Sequence, residues 1–417
     1  MTYFSRLAAD AQVARTPVNV CSALTPDLAH GDKGIRPASL IVRKLREAVG
    51  VSWLWGSLSV ALLGAAMGKM TVTQAYAEDI ARGVHAVYVG NYVEFGKTAR
   101  TALALPYVSA FSFNIPWKLV EPSDGVYDWS RIDQALAAAV ETHKKISVGL
   151  LVDWWAPDWV RARSASYSFR HQILGPLTSV VPWDPFYVAK LNEAVTAFGH
   201  RYNGNPALLF VVITGPATYW GTETNWAMIP GSISAADQNV LGFSMLKFEN
   251  GWKQMIDAYF KAFSQTPLAL ALNDQVTAPN GSEPAAGLAA VKRIRDFALN
   301  MEARTKPGQK MWLELLGLSK GNDRHYTGPY KDEASVTPYE ALIWDVRDKV
   351  HILYQDTVFM RPHNYTPEDV IADLDIGISF KADAIEIYCG DLFTLTGNKW
   401  EPYRDGIEKA HARMTKH

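Results

Sequence analysis

Residues 107–153 read YVSAFSFNIPWKLVEPSDGVYDWSRIDQALAAAVETHKKISVGLLVD, and the fold is legible in how this stretch changes its period. A β-rich run, Tyr107–Phe113, passes through a segment of turn residues into an amphipathic helical pattern over Arg131–Lys144. An apolar β-run follows at Ile146–Asp153. Strand, helix and strand in that order form a crossover unit whose two strands lie parallel. The alternation continues outward on both sides. Candidate strands are His85–Asn91 before it, then Leu208–Thr214, Pro267–Asn273, Lys310–Leu316, Val350–Gln355 and Ala384–Tyr388. Helical patterns fall between them at Pro185–Tyr202, Gln238–Phe263, Ala285–Ala303 and Pro367–Lys381. Thr366-Pro367-Glu368-Asp369 is a helix start, with a cap, a Pro at the first position and acids in the first turn. Eight strands alternating with helices predict an α/β fold, a (β/α)8 TIM barrel, as a single domain over residues 78–417. A doubly wound open sheet shares the alternation, but no G-x-G-x-x-G and no phosphate loop follows any of the strands.

Composition narrows the function. Among 417 residues, 41 Lys+Arg face 42 Asp+Glu, a net charge of -1 that sets up no field for nucleic acid or anionic lipid. Hydrophobic residues at 48% and charged residues at 20% exclude a disordered chain. The only cysteines, Cys21 and Cys389, rule out a disulfide scaffold and a Cys-rich metal site. The histidines are scattered without ligand spacing, and H-E-x-x-H does not occur, so no metal or cofactor is expected. The outlying quantity is aromatic: 14 Trp, 18 Tyr and 16 Phe, rings that suit the apolar faces of sugars as well as an ordinary core.

The N-terminal region reads differently from the rest. Residues 1–50 show no sustained apolar period and are expected to form an extra tail. Arg43, Lys44 and Arg46 then precede the uncharged run VSWLWGSLSVALLGAAM, Val51 to Met67, and small residues follow at Ala75-Tyr76-Ala77. A basic flank, an apolar run and an A-x-A site describe an export signal over residues 51–77. Left uncleaved, residues 51–67 would act as a membrane anchor, and a buried helix is the remaining alternative. The expected location is periplasmic or extracellular.

The most specific motif is Trp117 to Asp133, WKLVEPSDGVYDWSRID, followed by Ala156-Pro157-Asp158-Trp159-Val160 after the next strand. Together they resemble (β/α)8 glycoside hydrolases, the β-galactosidase-like and cellulase-like members of the retaining barrel clan. The resemblance implies hydrolysis of an O-glycosidic bond in a poly- or oligosaccharide. It also implies an acid/base Glu on the loop after the fourth strand and a nucleophile on the seventh. On the residues alone, Glu121-Pro122 and Gly125 make a tight turn that Trp117, Tyr127 and Trp129 pack down. A structural clasp is the better role for Glu121.

Three other glutamates are candidates for the chemistry. Glu223, in Tyr219-Trp220-Gly221-Thr222-Glu223-Thr224-Asn225-Trp226, is the one acid between Leu208 and Asp237. Flanked by Trp220 and Trp226, its carboxyl would hold a proton as a general acid must; the alternative is a solvated loop Glu. The resemblance puts an Asn directly before the acid, at the strand end, whereas here Thr214-Gly215 ends the strand and Glu223 lies further along. On the eighth strand, alternation turns Ala384, Glu386 and Tyr388 to the interior. A buried Glu must be paired or functional. The seventh strand offers Gln355 and Asp356 but no Glu, so Glu386 is the expected nucleophile or base, with Glu314 on the sixth strand as its rival. A buried salt bridge is the alternative for either.

Strand-end residues Asn91, Asn114, Asp153, Trp154, Asp274 and Gln355, with Trp117, Trp220, Trp226 and Tyr388, form the expected substrate-binding ring. Amides and carboxylates bind hydroxyls and indoles stack on sugar faces. Some of the polar ones, Asp274 above all, could instead cap the following helices. A non-catalytic carbohydrate-binding barrel would keep this ring without two facing carboxylates. A barrel lyase or isomerase would want a Lys base or a metal-binding carboxylate cluster, and neither is evident.

Overall fold

The computed structural model describes residues 80–87, 96–171, 175–218, 222–226, 231–276, 284–319, 326–356, 366–393 and 401–416. The expected tail and export segment lie outside these residues, as do Asn91 and Trp220. Ten strands are seen among the described residues: β1 (Gly83–Val87), β2 (Ala110–Pro116), β3 (Lys145–Leu151), β4 (Ser166–His171), β5 (Gly175–Val180), β6 (Leu208–Val212), β7 (Leu268–Leu272), β8 (Trp312–Leu318), β9 (His351–Asp356) and β10 (Ala384–Tyr388). Eight of them close a parallel barrel in the order β1-β2-β3-β6-β7-β8-β9-β10, and β10 returns to β1 with Gly83 opposite Ala384 and Val87 opposite Tyr388. The expected (β/α)8 barrel is the fold.

The strands are near-continuous apolar runs because helices cover their outer faces and side chains fill the inside. The first inward layer is apolar. Ala110, Phe210, Ala269, Trp312, Leu353 and Ala384, all at or near strand starts, form one buried cluster. The Trp312 ring lies 5.3 Å from Phe210 and 5.0 Å from His351, plugging the N-terminal half of the barrel. Two residues further along four of these strands, on the same inward face, the layer turns polar. Ala110 is succeeded by Ser112, Trp312 by Glu314, Leu353 by Gln355 and Ala384 by Glu386. The site is therefore built on strands, above a packed floor.

Two features depart from the sequence reading. The single helix expected over Gln238–Phe263 is two, Ala235–Leu241 and Met245–Ala262. Gly242 ends the first with a left-handed φ of 52°, and the Ser244 hydroxyl caps the second by accepting from the Lys247 N–H. An antiparallel hairpin, β4–β5, is inserted between β3 and β6. It buries alternate residues Tyr167, Phe169 and His171, while Ser166, Ser168 and Arg170 face out. The helix start at Thr366 forms as expected, with Thr366 and Asp369 capping each other reciprocally.

The clasp around Glu121 also forms. Its buried carboxylate accepts Trp117 Nε1–H at 2.7 Å and the Gly125 N–H at 2.9 Å. Trp129 stacks on Tyr127 and Phe198 behind it. Among the described residues no helix is long and apolar enough to cross a membrane.

Candidate active site

Glu223 reaches the barrel by an excursion of the chain. β6 ends at Val212, opposite Ala269 of β7. The chain then leaves the sheet: Thr214 bonds the Tyr259 hydroxyl at 2.8 Å, and Gly215 passes so close to Trp252 that an added Cβ would lie 2.8 Å from the indole. It returns at Glu223, which bridges in parallel to Ala271. The Thr224 N–H donates to the Ala271 carbonyl at 3.1 Å and the Trp226 N–H to Gln275 at 3.0 Å. Ala271 lies two residues beyond Ala269, so Glu223 takes the inward position two beyond Val212. An uninterrupted strand would have put Thr214 there. The residue that the sequence shows well past the strand is, in space, at the strand end.

The Glu223 carboxyl is buried. Asn225 Nδ2 and Asn273 Nδ2 both donate to its Oε2, each at 3.1 Å. Burial raises its pKa, and the two amide hydrogen bonds offset part of that rise. With both amides on Oε2, the proton of the neutral acid belongs on Oε1.

Glu386 and Glu314 meet on the far side of the same layer. Glu386 is 3% exposed and Glu314 6%, and the two carboxyls are close enough to share a proton. Gln355 Nε2 donates to Glu386 Oε2 at 2.8 Å and reaches Glu314 Oε1 at 3.4 Å. Ser112 Oγ donates to Glu386 Oε1 and in turn accepts from Ser147 Oγ at 2.9 Å. Tyr388 Oη donates to Gln355 Oε1 at 3.3 Å, fixing which way that amide faces. Burial raises both carboxyls. Glu314 is raised further by the charges of Glu386 and Glu223, while Gln355, Ser112 and Glu314 all favour the ionised form of Glu386. Glu314 lies close enough to Glu223 to feel its charge, so the three glutamates form one constellation. They come from β10, β8 and the position that continues β6, alternate strands whose inward residues share a layer.

The remaining expected site residues fall into two groups. Gln355 and Tyr388 join the constellation. Asn114 is half-buried on β2, two residues beyond Ser112, and its amide fills the space over Gly149, where an added Cβ would lie 2.2 Å from Asn114 Oδ1. Asp274, also half-buried, lies with Glu223 near the Tyr339 phenol, which burial and then these two charges raise. Trp154 lies in the 3-10 turn Asp153–Trp155 that follows β3, stacked 3.9 Å from Trp155.

The others have structural places. Trp117 is wholly buried in the clasp. Trp226 is wholly buried among Trp183, Tyr167, Phe248 and Phe243, its ring 5.2 Å from the last. Neither indole presents a face to a ligand. Asp153 is fully buried, accepting the Tyr187 hydroxyl on Oδ1 and the Ala217 N–H on Oδ2, both at 2.8 Å. It ties the excursion after β6 to the end of β3, and burial pushes its pKa up to about 7. Asn225, Asn273, Ser112 and Ser147 were not singled out from sequence, although Ser112 follows from the alternation that places Asn114. Among the described residues no group of three His, Cys, Asp or Glu is arranged to hold a metal ion.

No protein-family model and no curated protein matches the chain. Among solved structures it is similar to the catalytic domain of a β-amylase from Paenibacillus polymyxa, with a TM-score of 0.52 and 11% identity over 79% of this chain and 98% of that one. It also aligns with xylanase 10B from Thermotoga maritima at a TM-score of 0.48 and 10% identity, over 82% and 98% of the two chains. An exo-β-1,4-mannosidase from Opitutaceae bacterium strain TAV5 aligns at 0.48 and 13%, over 81% and 60%. At 11% identity the likeness to the β-amylase domain is one of fold. It supports the distant resemblance to barrel glycoside hydrolases at that level.

Proposed function

We propose that this barrel hydrolyses an O-glycosidic bond in a poly- or oligosaccharide, with Glu223 as general acid and Glu386 as nucleophile or general base. One observation carries the reading: three buried glutamates converge in a single polar layer, and among the described residues no Lys or Arg forms an ion pair with any of them. Buried carboxyls without cations are costly to a fold, and their presence calls for a use. Glycosidases need two carboxyls, about 5–5.5 Å apart for retention or roughly 6.5–9.5 Å for inversion. Glu314 and Glu386, whose carboxyls are in contact, are too close to hold a sugar between them. The working pair is therefore Glu223 with a member of that couple.

The roles follow from the protonation states. Glu223 keeps its proton through burial, and Oε1 presents it to the glycosidic oxygen. Glu386 is the better anion because it accepts from Ser112, Gln355 and Glu314. A carboxylate in that place attacks the anomeric carbon, or takes a proton from water that does. Asn114, Asp274 and Tyr388 supply polar groups at the barrel mouth that suit sugar hydroxyls.

The test is hydrolysis of a panel of aryl glycosides of both anomeric configurations, together with polysaccharides, by the wild type and by Glu386→Gln. The wild type should turn over at least one member and E386Q none. A wild type that binds glycans with no turnover of any member would make the barrel a carbohydrate-binding module. We also propose export through residues 43–77; a secreted form should begin near Glu78 on N-terminal sequencing, and full-length protein confined to the cytoplasm would refute this.

A further inference from the structure

We propose that Glu314 is the proton-holding partner of Glu386: its carboxylic acid O–H donates to the Glu386 carboxylate, so the couple carries one negative charge and that charge is fixed on Glu386. Glu314 is then a positioning residue that acts through Glu386. This rests on the glycosidase reading for its consequence in catalysis, but the shared proton can be measured without any substrate.

The donors around the couple are unequal. Glu386 receives Ser112 Oγ–H on Oε1 and Gln355 Nε2–H on Oε2 at 2.8 Å, whereas among the described residues Glu314 receives only the long end of the Gln355 amide at 3.4 Å. Ser147 donates to Ser112, which leaves the Ser112 hydrogen committed to Glu386. Tyr388 donates to Gln355 Oε1, which commits the amide N–H to the carboxyls. Two buried carboxyls in contact without a cation lose their protons in two well-separated steps, the second strongly raised. The charge therefore settles where the donors are, on Glu386, and the proton stays on Glu314.

The groups facing Glu314 supply no cation. From β10 comes Glu386, from β9 Gln355, from the returning segment after β6 Glu223, and from the region after β8 the Tyr339 phenol. Opposite it on β7 is Ala271, which cannot titrate. None of these is cationic, and any charge on Glu386 or on Glu223 opposes a charge on Glu314. As pH rises, Glu386 ionises first and the singly charged couple forms. When Glu314 ionises, Glu386 loses a donor and gains a facing anion, so activity falls.

Two variants separate this from a merely structural role. Glu314→Gln keeps an N–H donor for Glu386 but cannot ionise. Glu314→Leu fills the space and offers no donor. The expected result is that E314Q retains at least ten times the kcat/KM of E314L. Its alkaline limb should also be set by Glu223 alone and lack the further loss that Glu314 ionisation imposes on the wild type. Independently, infrared difference spectra at neutral pH should show one protonated buried carboxylic acid in the wild type that is missing in E314Q. This arm needs no turnover, so it decides the shared proton even if no glycoside is cleaved, and E314Q alone carries it if E314L fails to fold. The same number of protonated carboxyls in E314Q and wild type, or superimposable pH profiles for E314Q and wild type, would overturn the proposal.

Discussion

Replacing Asp153 with Asn should remove one pH-dependent part of this protein's stability. In the fold the Asp153 carboxyl holds its proton up to about 7, against 3.8 for the free side chain, because burial disfavours the charge more than its two hydrogen bonds favour it. The folded state then binds the extra proton between about pH 4 and pH 7. Where the folded state binds more protons, stability falls as pH rises. The shift is about 3 pH units at 1.36 kcal/mol each, so Asp153 costs the wild type roughly 4 kcal/mol by pH 7.5. Asn removes that cost. Its Oδ1 can accept the Ala217 N–H and its Nδ2 can donate to Tyr187 Oη, which replaces the present bonds with the loss of about 1 kcal/mol for imperfect geometry. Asp153 also sits at a left-handed φ of 60°, which Asn tolerates as well as Asp does. D153N should thus be about 1 kcal/mol less stable than wild type near pH 4 and roughly 3 kcal/mol more stable at pH 7.5. Urea midpoints measured from pH 4.5 to 8 give the comparison. Glu340, raised to about 7 by burial, slopes the same way in both proteins and cancels in the difference. Curves that run parallel across the range would show that Asp153 is ionised in the fold, and the reasoning would fail.

Other expectations follow from single contacts. Gly149→Ala places a Cβ 2.2 Å from Asn114 Oδ1 and 3.3 Å from Thr222, so the Asn114 amide must leave its place at the barrel mouth. An overpacking cost of about 1–3 kcal/mol and a raised KM are expected, read by thermal unfolding and steady-state kinetics. Glu121→Gln turns one acceptor into an amide N–H facing Trp117 or Gly125; it should cost about 1–3 kcal/mol in chemical denaturation with little change in kcat, as a clasp requires. The kcat/KM profile should be a bell displaced upward from that of two ordinary carboxyls. Burial raises Glu386, which sets the acid limb, and Glu223, which sets the alkaline limb. An optimum at or below pH 4 would contradict both shifts.

The barrel was legible because β1, β6, β7 and β10 are short apolar runs separated by helical periods, and because eight such units without a phosphate-binding loop favour closure over an open sheet. The β4–β5 hairpin was not. Its outward Ser166, Ser168 and Arg170 dilute the apolar signal. Glu386 and Gln355 could be placed by alternation along single strands. Glu223 could not be placed that way, since its inward position depends on the chain leaving at Ile213 and returning beside Ala271, which no local pattern marks. No Asn directly precedes the acid; the amides that contact Glu223 are Asn225 and Asn273, one after it in sequence and one just past β7. Trp117 and Trp226 were misplaced because composition does not distinguish an indole that packs a shell from one that lines a cleft. Asp153 was misplaced because a strand-end carboxylate looks the same whether it faces the mouth or is folded over by the next loop.

The central claim, that Glu223 delivers a proton to a glycosidic oxygen, is tested most directly by the leaving-group dependence of Glu223→Gln. The amide keeps the shape of the site and the contacts of Asn225 and Asn273, and removes only the proton donor. On a glycoside whose leaving group needs protonation, kcat/KM should fall by about 10² or more. On a dinitrophenyl glycoside of the same sugar, whose leaving group departs unaided, it should stay within a few-fold of wild type. An equal loss on both substrates, or no loss on either, would contradict the assignment of Glu223 as the general acid.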